Sequence, residues 1–231
     1  MKRFYKKAET VEVDDGFSVT LDGRPIKTPA KAPFVLPNAA IAAEIAVEWE
    51  AQADKVDPET MPSMKYAATA IDRVMTQREK VIDEIVGFGG TDLVCYRATY
   101  PEHLVTKQTD AWDPLLVWLK ETFSVSLNVT PGVGYIEQDN AGLAKLRSEI
   151  ETQSDLQLAA IHDIVSLTGS LVVTLAVMRR KLNADQAFDV SELDETHIID
   201  EWGEDAESAK RRKNNKVSLN DAIKFLKLCD Q

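Results

Sequence analysis

An α+β fold is predicted for these 231 residues, with a small β-containing N-terminal domain followed by a larger all-helical C-terminal domain. Three observations carry that reading. Period-2 alternation broken by tight turns fills the stretch from Val11 to Thr28, helical periodicity takes over after Asn38, and from Asn140 onward the chain reads as almost purely helical. A glycine cluster at residues 87–90 divides the two parts, giving expected domains of 1–90 and 91–231.

Val11-Glu12-Val13 and Phe17–Leu21 read as strands joined through Asp14-Asp15-Gly16, and Asp22-Gly23 supplies a second hairpin turn. Pro25 has no amide to donate, which sends the strand Arg24–Thr28 to an edge. Asn38 is expected to cap a helix reaching about Ala53 with Ile41, Ile45 and Trp49 on one face, and Ser63 to cap another. Gly87-Phe88-Gly89-Gly90 lacks the Lys-Ser/Thr of a phosphate loop and reads as a hinge or helix stop. Thr91–Ala98 fits helix or strand. Asp113-Pro114 has the form of a helix start, and Val125–Val129 alternates as a strand would.

The stretch from Leu156 to Leu182 is the most apolar helix of the chain. Ile161, Ile164, Val165, Leu171, Val172 and Leu175 form its wide buried arc, while His162, Ser166, Ser170 and Thr174 line a small, polar stripe. Filling of that stripe by the same chain is the ordinary expectation; a partner groove is the alternative. Its uncharged run, Ile164–Met178, is shorter than the roughly 20 residues needed to span a bilayer, so no membrane insertion is expected.

A formal net charge of −11 repels a phosphate backbone, which argues against nucleic acid as a partner. Cys95 and Cys229 are too few for a disulfide framework, and MKRFYKKAETVEV lacks the apolar segment of a secretory signal; both features point to the cytoplasm. No nucleophile elbow, zinc-protease motif, Walker loop or dinucleotide fingerprint appears, and His103, His162 and His197 are too far apart to form a recognisable ligand motif. Catalytic residues, cofactor and metal are therefore not expected. The densest charge lies between Glu192 and Glu207. Glu201 with Glu204 or Asp205 would share a helix face if Gly203 does not end the helix, and an acid–base or metal enzyme using Glu201, Glu204 and His197 is the alternative to a solvated acidic face.

Taken in order, LDGRPIKTP (21–29), EWEAQ (48–52), PETMP (58–62), ATAIDRV (68–74), TDLVCYRA (91–98), WDPLLVW (112–118), SLTGSLV (166–172), LDE (193–195) and EWGED (201–205) resemble the ATP synthase assembly-chaperone family that handles the alpha subunit of the catalytic head. The resemblance covers nearly the whole chain and favours the alphaproteobacterial form, with mitochondrial-matrix members among its eukaryotic relatives. It implies a non-enzymatic protein, monomeric when free, that holds the unassembled alpha subunit, shields its beta-facing surface and is displaced by beta. An acidic position in the C-terminal helices matters in that family. EWGED is the matching motif, which carries the role to Glu201 or Glu204, with Trp202 as aromatic anchor and Asp194 and Glu195 as supporting charges. Core packing is the competing role for Trp202.

Overall fold

The structure is a computed structural model and describes residues 2–231. The chain forms two compact units. Residues up to Arg78 group with Ser154–Ala160 and Asp221–Gln231, while Glu79–Gln153 and Ile161–Asn220 form the other.

In the first unit, β1 (Ala8–Val13), β2 (Gly16–Leu21) and β3 (Arg24–Pro25) make an antiparallel sheet in that order. The register pairs Val13 with Gly16 and Ala8 with Leu21, so the first hairpin turns at Asp14-Asp15. The second turn has positive φ at both Asp22 (48°) and Gly23 (78°), the handedness that matches strand twist. Its Asp22 carboxylate accepts the Lys6 and Lys7 amides, each at 3.0 Å. The third strand is shorter than expected because Pro25 ends the ladder, although the Ile26 amide still reaches Val19 O at 2.9 Å. Leu36 exchanges both backbone hydrogen bonds with Phe17 as a lone bridge.

α1 (Ala39–Glu50) is capped as expected: Asn38 Oδ1 accepts the Ile41 amide at 2.9 Å. Ile41, Ala42 and Ile45 are fully buried beneath it. α2 (Pro62–Thr69) leads through a wide π-type turn, Ala70–Val74, into α3 (Met75–Gly90). Ser63 does not cap α2 with its side chain. Buried Glu48 instead accepts the Ser63 and Met64 amides at 2.7 and 2.8 Å, so α1 caps α2. The two later segments join this core by specific contacts: Tyr66 and Phe225 lie 5.3 Å apart, Glu44 pairs with Lys224, and Arg78 meets Asp155 at 2.5 Å.

In the second unit, α3 continues through its glycines to Gly90 and buries Val81, Ile82 and Ile85. The glycine cluster is a helix stop. A Cβ on Gly89 would come within 2.9 Å of Leu171 and 3.0 Å of Leu143, so the glycine admits close packing there. A single 3-10 turn, Leu93–Cys95, then precedes β4 (Tyr96–Arg97). α4 (Glu102–Phe123) runs straight across Pro114 rather than starting there. Burial of Leu104, Trp112, Leu115 and Leu119 along one face outweighs the local penalty of roughly 3 kcal/mol for an interior proline. β5 (Thr130–Pro131) pairs in parallel with β4, and Val125–Val129 forms no strand.

The remaining chain is helical: α5 (Asn140–Glu151), α6 (Asp155–Thr168), α7 (Leu171–Met178), α8 (Ala184–Ser191), α9 (Leu193–Trp202) and α10 (Ala206–Cys229). The class is therefore the expected α+β, strands early and helices late, apart from the two-residue β4–β5 pair. Asn183 forms a full capping box with Gln186, and Asp139 caps α5. The expected single helix through 156–182 is broken at Gly169, whose φ is +64°.

That break has a physical cause. Asp92 is completely buried and accepts the Ser170 hydroxyl (2.5 Å) and the amides of Val94 (3.2 Å) and Val172 (3.0 Å). Ser170 in turn caps α7 through the Val173 amide at 3.0 Å. One carboxylate thus starts both the 3-10 turn and α7, and burial pushes its pKa up to about 6. The polar stripe is covered at one end only: Ser170 and Thr174 are fully buried, His162 Nε2 lies 3.1 Å from Glu84, and Ser166 is exposed.

Candidate functional site

The acidic stretch folds as α9 followed by a tight exit. Gly203, at φ 84° and ψ 167°, ends the helix and accepts no continuation, because only glycine tolerates that backbone at little cost. The condition for Glu201 to share a helix face with Glu204 or Asp205 is therefore not met. Asp205 serves the next helix, accepting the Glu207 and Ser208 amides at 2.9 and 3.0 Å, and those bonds hold its pKa below the usual value.

The faces of α9 separate by helical spacing. Asp194, His197 and Glu201 turn toward α4: Asp194 accepts from Gln108 Nε2 at 2.7 Å, and Glu201 lies 3.5 Å from His103 Nε2. Glu195 faces α10 and pairs with Arg211 at 3.2 Å. Ile198 and Trp202, four residues apart, face outward. Trp202 is 85 % exposed, so it is not a core residue. Glu204 is exposed in the link between α9 and α10.

The five expected residues thus divide by role. Asp194 and Glu195 are held by neighbouring helices, Glu201 is half engaged by His103, and Trp202 and Glu204 face solvent. Glu204, past the helix end, is not among the groups that gather with Glu201 and His197, so the acid–base or metal enzyme reading lacks one of its three residues.

A different set does converge. His103, His197 and Glu201 each place one donor atom within 4.8 Å of the others'. The i, i+4 spacing of His197 and Glu201 was visible in the sequence. Nothing in the sequence brought His103, from the first turn of α4, to the same place.

Among the described residues, no helix is long and apolar enough to cross a membrane. The fold as a whole is that of an assembly chaperone. The crystal structure of Atp12 from Paracoccus denitrificans superposes with a TM-score of 0.95 at 37% sequence identity, covering 99% of this chain and 98% of that one. A lysine-for-aspartate variant of the same Paracoccus protein matches equally, and a solved Agrobacterium tumefaciens protein matches with a TM-score of 0.94 at 36% identity over 98% of this chain and 85% of its own. The mitochondrial atp12 protein of Schizosaccharomyces pombe is 26% identical over 220 residues, covering 87% of this chain and 74% of its own length.

The chain belongs to the ATP12 chaperone family, whose model matches residues 2–120. This is a family of ATP synthase assembly, and its members are chaperones and not enzymes, as the motif resemblance implied.

Proposed function

We propose that this chain binds the unassembled alpha subunit of the ATP synthase catalytic head, covers the surface that later faces the beta subunit, and is displaced when beta arrives. A free alpha subunit exposes an apolar interface that aggregates by the same burial that later builds the ring. A cover for it must bind, yet lose to the native partner. A partly polar contact with one or two aromatic anchors suits that task better than a large apolar one.

The observation that carries the reading is Trp202, an indole standing in water beside Ile198 and amid Glu201 and Glu204. Such a side chain adds nothing to the stability of its own unit and offers a large amphipathic contact. Acidic neighbours keep the patch soluble and favour a basic complement on the client. Displacement needs no nucleotide, because the tighter alpha–beta interface drives it. In a bacterial host the site of action is the cytoplasm, and the free chaperone is a monomer.

The test is co-purification with separately expressed alpha and beta subunits, comparing wild type with Glu201→Lys, Glu204→Lys and Trp202→Ala. Capture of alpha alone, its release on adding beta, and a loss of capture in at least one folded variant is the expected result. Capture of neither subunit, or equal capture of both, refutes the reading.

A further inference from the structure

His103 and His197 have no part in the chaperone reading, and together with Glu201, at the edge of the Trp202 patch, they carry the chemistry of a metal site. We propose that these three side chains bind a zinc-type transition-metal dication that ties the first turn of α4 to the last turns of α9.

Donor identity selects the ion. Two imidazoles and one carboxylate suit zinc and its first-row neighbours, whereas calcium and magnesium demand oxygen donors throughout. Three protein donors leave a fourth tetrahedral position for water.

The spacing is close to what such an ion needs. Donors about 2.1 Å from a tetrahedral centre lie roughly 3.4 Å apart. His103 Nε2 and Glu201 Oε1 are already 3.5 Å apart, and no pair in the set exceeds 4.8 Å. The His103 and Glu201 side chains are about half exposed, at 53% and 50%, and adjust by rotation. His197 supplies the fixed point: its residue is 7% exposed, and it sits edge-on to His103 with ring centroids 4.9 Å apart.

His197 also carries the independent sign of a ligand. Its Nδ1 is buried without a hydrogen-bond partner, a state that costs free energy in an ordinary packed imidazole. Metal ligation by one ring nitrogen sets the tautomer and gives the buried ring a purpose. The neighbourhood does not oppose a cation: Lys107, one turn along α4, is drawn aside by Asp200 at 3.5 Å, and Asp194 lies on the same face of α9. Competing thiols are muted, since burial pushes both Cys95 and Cys229 up to about 12.

Closing this site would fix the end of α9 that displays Trp202. The proposal nevertheless stands without any client, and its test uses none.

Full-length protein is stripped with chelator, dialysed and titrated with zinc chloride by calorimetry, alongside His103→Gln, Glu201→Gln and the off-site control His162→Gln. Cobalt(II) absorption on the wild-type chain reports coordination geometry. The expected result is one equivalent bound, tetrahedral cobalt bands, at least tenfold weaker binding in His103→Gln and Glu201→Gln, and unchanged binding in His162→Gln. Absence of stoichiometric zinc binding and of tetrahedral bands in the wild type overturns the proposal, whatever the variants do. Equal binding by all four chains also overturns it and means an adventitious ion only.

Discussion

Asp92→Ala tests the central joint of the second unit. The wild-type carboxylate is the partner of two backbone amides, Val94 and Val172, and of the Ser170 hydroxyl, all in a place that water does not reach. Alanine orphans both amides at about 1–3 kcal/mol each. Removing the buried charge offsets part of that loss, because burial raises the carboxyl from 3.8 to about 6 and so makes ionisation costly in the fold. The native state therefore holds its proton more tightly than the unfolded chain. Stability from this group is complete below pH 3.8 and is lost as pH rises through about 6. Integrating between those two values, the wild type loses about 1.3 kcal/mol from this group between about pH 5 and pH 7. The variant, lacking the carboxyl, loses none of it. Urea unfolding of both chains across that range should show Asp92→Ala less stable by about 2 kcal/mol at neutral pH, with a larger gap at about pH 5. A gap that is constant, or that widens as pH rises, refutes the argument from burial.

Three further outcomes follow from local geometry. Glu48→Ala leaves the Ser63 and Met64 amides at the start of α2 unsatisfied and should cost about 1–3 kcal/mol in urea unfolding; the Gln variant, retaining one acceptor oxygen, should cost less. Gly16→Ala puts a Cβ 2.3 Å from Leu36 O at a φ of +142°, so its thermal midpoint should fall by several degrees through loss of the first hairpin's seat. Trp202→Ala should leave stability within about 0.5 kcal/mol of wild type, because the ring is exposed, while alpha-subunit capture falls at least tenfold. A large stability loss in that variant would return Trp202 to a structural role.

Much of the fold was legible where a short-range rule governs. Asn38 and Asn183 cap helices because an amide side chain satisfies nearby backbone donors whatever the rest of the chain does. The hairpin from Ala8 to Leu21 follows from alternation and turn residues. Misreadings arose where a distant partner overrode the local rule. Pro114 looks like a helix start, but the packed face of α4 carries the helix past it. Ser63 looks like a cap, but Glu48 of the preceding helix performs that task. The helical periodicity through 156–182 hides a break, because Asp92, 78 residues away, fixes the Ser170 hydroxyl and the Val172 amide at the start of α7.

The acidic stretch divides in the same way. Its residue types, their crowding into one stretch and the EWGED motif were readable, as was Gly203 as a conditional stop. Which faces they occupy was not.

Residue chemistry and spacing thus determined the order of strands and helices, the Asn38 and Asn183 caps, the two hairpin turns, the absence of a membrane-spanning helix and the family resemblance. Tertiary structure alone decided that the chain's last residues, Asp221–Gln231, join the first unit, that Trp202 stands in solvent, and that His103 meets His197 and Glu201. Caps and amphipathic faces arise from neighbours within a turn or two and are written locally. Burial and convergence depend on which helix faces are covered, and only the folded chain sets that.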